Sequence, residues 1–231
     1  MAIRHEYTRS LNRLQDEVLI LGSMVEGGIN DAIHVLEQRD TEGARRIIDW
    51  DNRVNEKRFA IESSALTLIA TQQPAAGDLR IIAAILEIIT DLERVGDYAK
   101  GIAKINLLIG EARLIKSLEE FKIMAADACQ MLRDALDAFV HRDIDLAKQI
   151  AKRDDDLDEQ YNQIFKALLQ LIISDTRVTD QATYLLWAAH NLERTGDRVV
   201  NICERVIFMV TGQMTELNGS VEIKDMPTLQ D

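Results

Sequence analysis

Glu93 and Asp97 stand four residues apart, and Glu193 and Asp197 repeat the spacing a hundred positions later. On a helix this spacing puts both carboxylates on one stripe. Counted from Leu92 at the centre of an apolar stripe, they fall toward the flank or outer face, within reach of solvent. Like charges so placed repel by roughly 0.2–0.5 kcal/mol. The adjacent Arg94 and Arg194 lie off that stripe. A divalent or trivalent cation would offset the repulsion, because hard cations take several carboxylate oxygens.

A second set of oxygens has matching places. Asp51 and Asn55 correspond to Asp154 and Asp158, again four apart. Asp51 follows Ile47 by one turn, on the seam side, and Asp154 follows Ile150 in the same way. A carboxylate that near an apolar stripe needs a partner. The second half is richer in acid, with Asp154, Asp155, Asp156, Asp158 and Glu159 crowded together. His190, three before Glu193, offers a nitrogen but is discounted because its counterpart is Thr90. The plainer reading makes each acid pair a solvated helix face and has Arg94 and Arg194 pair with acids on neighbouring helices. Gly96 and Gly196 then mark close helix packing, since an interior glycine otherwise costs about 1 kcal/mol. Retention of the acids in both halves favours the metal reading.

Six helical segments position these residues. Tyr7, Leu11, Leu14, Val18, Leu21, Val25, Gly28 and Ala32 alternate steps of four and three, the period of a long packed seam. Ile47, Val54, Ile61 and Leu68 repeat every seven. Pro74 breaks the pattern between Gln72 and Asp78. Ile81, Ile85, Ile88, Leu92, Val95, Ala99 and Ile102 form a third seam, and Gly110 is its expected stop. Leu118 to Phe139, Ala147 to Leu171 and Leu185 to Met209 repeat the design, and Trp187 is read as core. Residues 214–231 lose all period and are expected to form a flexible tail.

The halves align directly. At an offset of 103, Asp31, Arg39, Asp40, Ala44, Ile47 and Asp51 match Asp134, Arg142, Asp143, Ala147, Ile150 and Asp154. The offset becomes 100 beyond the second turn, where Leu92 to Asp97 meets Leu192 to Asp197. The expected fold is all-α, a tandem duplication of two three-helix bundles over 1–110 and 111–213, followed by the tail. Short connections make neighbouring helices antiparallel.

Composition narrows the function. The 231 residues carry 27 Lys and Arg against 39 Asp and Glu, a net charge of −12. An acidic chain without a basic cluster is a poor binder of nucleic-acid phosphates. Two prolines and 5% aromatics argue against an all-β fold. Cys129 and Cys203 suit a reducing compartment and read as buried helix residues. No signal peptide opens the chain, and uninterrupted apolar runs stop far short of the ~20 residues of a membrane span. The expectation is a soluble cytoplasmic protein. There is no phosphate loop, nucleophile elbow or His-Glu-x-x-His. No histidine follows Glu by three, as a di-iron bundle enzyme requires. Catalytic residues are therefore not assigned.

Paired Leu-Glu-Arg-x-Gly-Asp motifs, each closing a three-helix unit, resemble the PhoU family. Met24 to Ile33, Gln73 to Arg80 and Asn201 to Glu204 support the resemblance, which spans about residues 5–212. It implies a non-enzymatic cytoplasmic regulator of phosphate uptake and homeostasis. Such a protein couples a phosphate ABC transporter to a sensor histidine kinase and represses the phosphate-starvation response when phosphate is ample. It also implies a homodimer, peripheral association with membrane complexes, and metal binding through Glu/Asp-x-x-x-Asp motifs. By position these are Glu93 with Asp97, Glu193 with Asp197, Asp154 with Asp158, and Asp51. Iron, manganese, magnesium and zinc all suit such ligands. Asn55 departs from the pattern and weakens the first-half site. The alternative is a metal-dependent enzyme or metal-storage bundle using the same carboxylates.

Overall fold

The computed structural model describes residues 2–217, with side chains from Glu6 onward. Its helices are α1 (Ala2–Gln38), α2 (Thr41–Gln72), α3 (Ala76–Ile109), α4 (Glu119–His141), α5 (Ile144–Ala151), α6 (Asp154–Ser174) and α7 (Thr179–Thr211). A 3-10 turn, Thr176–Val178, leads into α7. No strand occurs among the described residues.

The duplication is written into the backbone as well as the seams. Arg39 and Arg142, equivalent at the offset of 103, both take left-handed backbone with φ of 56°. Each ends a helix in the way a left-handed residue does. The next residue then caps the following helix: Asp40 Oδ1 accepts from Gly43 N at 2.8 Å, and Asp143 Oδ1 from Leu146 N at 2.9 Å. Each side chain satisfies an amide that has no partner within its own helix.

The fifth segment departs from expectation. It is two helices, α5 and α6, interrupted at Lys152 and Arg153. In the first half the position equivalent to Arg153 is Trp50, whose ring lies against Gly28 so closely that a Cβ there would collide with it. Met131 stands where Gly28 does, so the second half has no such seat. Arg153 instead reaches Asp134, NH1 to Oδ2 2.6 Å. Asp154, Asp155 and Asp156 then open α6, where acids favour the positive end of the helix.

α3 packs on α1 and α2, and α7 on α4, α5 and α6. The halves join through α3 against α7 and α1 against α4, and one buried apolar cluster runs through both. Both contacts are antiparallel. Arg80 Nε donates to Met209 O at 3.4 Å and Asn201 Nδ2 to Asp91 Oδ1 at 3.2 Å. Lys122 lies 3.0 Å from Glu37, while Arg133 pairs with Glu26. α3 is buried along most of its length because it faces helices on several sides.

The expected seams are buried, and so are Cys129 and Cys203. Burial pushes both thiols up to about 12, which leaves them inert. Trp187 is a correction: it is 52% exposed, its ring 5.8 Å from that of Tyr184 on the outer face of α7. The start of the expected tail is also corrected, because Leu217 N donates to Glu204 Oε1 at 2.8 Å and its side chain packs on the core. The rest of that tail, 218–231, lies outside the described residues. α1 over Glu6–Gln38 has the length and apolarity to cross a membrane, despite its lack of a long uninterrupted apolar run. Its apolar face, including Leu14, Val18, Leu21 and Val25, is buried in the bundle.

Candidate functional site

In the first half, α3 carries Glu93 and Asp97, and α2 carries Asp51 beside them. Gly96 sits over Val54, where a Cβ would come within 3.1 Å of Cγ1, so the two helices run close. Asp51 is 2% exposed, as the need for a partner at that position requires. Its partner is Lys100, one turn beyond Asp97 on α3, with Nζ 2.6 Å from Asp51 Oδ2. The same ammonium lies 3.8 Å from Asp97 Oδ1. Asn55 Nδ2 donates to Asp51 Oδ2 at 3.2 Å. The hydrogen bond to Asp51 raises the Lys100 pKa, so the lysine stays charged.

The stripe argument fails for Arg94. Its Nε lies 3.8 Å from Glu93 Oε2 and its NH1 3.5 Å from Asp97 Oδ2. A long, flexible side chain curls back over carboxylates that its Cβ does not face. Burial, and then repulsion from Asp97, still raise the Glu93 pKa against the pull of Arg94 and Arg58.

The second half repeats the backbone and changes the charges. α7 carries Glu193 and Asp197, and α6 carries Asp154 and Asp158. Gly196 admits the buried Asp154: a Cβ there would run into Oδ1 and stand 2.7 Å from Leu157 Cδ2. Asp158 is exposed at the rim. No ammonium sits where Lys100 sits, because that position is Val200, itself buried. Arg194 turns away, its guanidinium 4.9 Å from the Tyr98 ring centre across the α3–α7 junction. Burial, then repulsion from Asp197 and Asp158, push Glu193 up to about 7. Desolvation and the charges of Asp197 and Asp155 raise Asp158 as well.

His190 proves closer to this cluster than its missing repeat partner suggested. Its Nδ1 lies 3.1 Å from Glu193 Oε2, and its ring 6.0 Å from that of Tyr161. Glu193 Oε2 is nevertheless buried without a hydrogen bond. Lys100, too, was missed. Its signal was present in the spacing, three after Asp97, and in the contrast with Val200. Asp91, held by Asn201 and Arg198 at the junction of the halves, gave no signal, since its own counterpart is Asn191.

The two halves therefore answer differently as metal sites. Among the described residues, no three His, Cys, Asp or Glu side chains converge as a ready-made ligand set. In the second half the donor chemistry fits a hard cation: carboxylates that repel one another and no nearby ammonium. A buried oxygen without a hydrogen bond is common to both halves, Glu193 Oε2 in the second and Asp51 Oδ1 in the first. In the first half the donor chemistry does not fit, because an ammonium already lies on the buried carboxylate.

The family model described as PhoU domain matches residues 18–105 and again 121–206, each match ending past one Leu-Glu-Arg-x-Gly-Asp motif. The chain belongs to the PhoU family. It is 38% identical over 216 residues to the phosphate-specific transport system accessory protein PhoU homolog of Clostridium acetobutylicum, covering 93% of this chain and 99% of that protein. It is 34% identical to the PhoU accessory protein of Escherichia coli K12, over 91% of this chain and 88% of that one. The crystal structure of PhoU from Pseudomonas aeruginosa superimposes with a TM-score of 0.84 at 31% identity, covering 90% of this chain and all of that one. The phosphate transport system regulatory protein PhoU of Streptococcus pneumoniae gives 0.84 at 32%, covering 90% and 99%. These PhoU proteins are named as accessory and regulatory proteins, not enzymes.

Proposed function

We propose that this PhoU-family chain is a non-enzymatic regulator of phosphate uptake that couples a phosphate ABC transporter to a sensor histidine kinase. It holds the starvation response off while phosphate is ample. The observation that carries the phosphate-transport role is the doubled family match, together with near full-length relatives named for phosphate-specific transport. The coupling to a kinase is the finer step, and two surface features support a protein-binding role. The chain is acidic overall, and α6 turns Phe165, Leu169 and Ile173 outward at successive turns. Among the described residues nothing covers the outward side of this stripe, and such a surface suits another protein. Action as a switch requires that a partner's two signalling states bind it with different affinity.

Metal binding is a separate proposal, confined to the second half. Glu193 and Asp197, with Asp158 at the rim and Asp154 beneath Gly196, would hold a cation that offsets the repulsion among Glu193, Asp197 and Asp158. A homodimer at the cytoplasmic side of membrane complexes completes the proposal. The enzyme or storage alternative has no observation in its favour.

Deleting the gene and reading a phosphate-regulon reporter in high phosphate tests the regulatory role. Derepression, reversed by the wild-type gene, is expected. Unchanged expression would overturn it.

A further inference from the structure

We infer that Lys100 is the resident cation of the first half, an ammonium built into the chain that closes the Asp51, Glu93 and Asp97 site to external metal. The part concerning metal rests on the second-half metal proposal above. The part concerning the lysine stands on the structure alone.

Three observations converge. Asp51 is 2% exposed, and a carboxylate so deeply placed needs a countercharge. Lys100 Nζ supplies it at 2.6 Å and also lies 3.8 Å from Asp97 Oδ1, so one ammonium faces both helices of the site. Asn55 Nδ2 takes a further lone pair of Asp51 Oδ2 at 3.2 Å, where the second half has the acid Asp158. Asp51 Oδ1 carries no hydrogen bond, but a cation entering there would meet the charge of the ammonium on Oδ2 at close range. Each change runs the same way. Lysine stands for valine at the position shared with Val200, and amide for acid at the position shared with Asp158. At these two positions the first half carries one more positive charge and one fewer negative charge than the second. The duplicated motifs have thus diverged into a closed ion pair and an open carboxylate site.

Other cations near the motif do not take this role. Arg94 sits on the solvent side at 3.5 Å or more from Glu93 and Asp97, with its side chain 57% exposed. The acid on α2 is reached by Lys100.

The full chain, stripped with chelator and titrated with Mn²⁺, distinguishes the two halves by stoichiometry. Wild type is expected to take one equivalent per chain, lost in Glu193→Gln/Asp197→Asn. Lys100→Met uncovers Asp51 and Asp97 beside Glu93 and should take a second equivalent, retained when the second-half ligands are removed. Lys100→Gln, which keeps a donor for Asp51, gives the same count if the methionine variant fails to fold. Two equivalents in wild type, or no gain in either Lys100 variant, would overturn the closure of this site.

A metal-free arm separates this from failure of the metal proposal. Lys100→Met should lower Tm by roughly 6–15 °C, as expected for a buried charge left unpaired. Most of that loss should vanish in an Asp51→Asn background, because the two residues act as one unit. Strictly additive losses would overturn the ion pair, whatever the Mn²⁺ count. Absence of Mn²⁺ from wild type together with one equivalent in Lys100→Met would remove the second-half proposal and leave this one standing.

Discussion

Asp91 on α3 accepts a hydrogen bond from Asn201 on α7, and the repeat images of this pair, Asn191 and Gly101, also meet across the same junction. The first contact is 3.2 Å; in the second, a Cβ on Gly101 would come within 3.1 Å of Asn191 Nδ2. The halves are thus related by a local twofold, with the two Leu-Glu-Arg-x-Gly-Asp motifs on either side of it. The symmetry is broken by charge: Asp91 faces Arg198, and the equivalent positions carry the uncharged Asn191 and Tyr98.

Breaking that pair should loosen the junction. Arg198 NH1 lies 3.5 Å from Asp91 Oδ1, and both side chains are largely buried. Asp91→Ala leaves the guanidinium and Asn201 without their acceptor. A loss of about 2 kcal/mol is expected in urea unfolding, less than for a fully buried pair because solvent reaches the site.

The glycines of the helices should rank by the space beside them. Gly27 has nothing within 4 Å, so Gly27→Ala should stabilise by about 0.5–1 kcal/mol through helix propensity alone. At Gly96 the new methyl would meet Val54 at 3.1 Å, and the two effects should nearly cancel. At Gly196 it would drive into Asp154 and Leu157, with a net loss of about 1–3 kcal/mol. Thermal unfolding of the three variants reads the order directly.

Glu193 gives the metal-free protein a pH signature. Its folded pKa is raised from 4.5 to about 7. Between those values the folded chain holds a proton that the unfolded chain has released. Stability therefore falls as pH rises through that window, and the cost is fully present above it. Glu193→Gln removes the charge, so it should stabilise the chelated protein at pH 8 by about 1–2 kcal/mol, solvent screening allowed for. Little gain is expected at pH 4.5. Equal gains at both pH values would exclude the shifted carboxylate.

The outward stripe on α6 should be silent in stability. Ile173 is 75% exposed, and Phe165 and Leu169 are 40% and 42% exposed. Replacing all three by serine should cost little in Tm, since exposed side chains away from caps contribute about 0.5 kcal/mol or less each. The same triple variant should lose repression in the reporter strain. Full repression would show that partners dock elsewhere.

The helical segments and their seams were legible because apolar residues recur every three or four positions, and only a helix turns them all inward. Leu92, Val95 and Ala99 are buried as that period requires. The break between α5 and α6 was not legible: Lys152 and Arg153 are good helix formers, and the interruption follows from a tertiary reach to Asp134. The acid pairs were legible from spacing along one helix. The place of Lys100 beside Asp97 was legible in the same way, but its pairing with Asp51 was not, because Asp51 lies on another helix and contact across helices leaves no period in the chain. Arg94 was misplaced for a related reason, since spacing locates a Cβ and not the end of a long side chain.

The coupling role is tested most directly by crosslinking the tagged full-length chain in cells and identifying what it holds in high and low phosphate. Capture of phosphate transporter subunits and the sensor kinase together, with a ratio that changes between the two conditions, is the expected result. Capture of neither, or of both in unchanged ratio, would contradict a regulator that reports phosphate by changing partners.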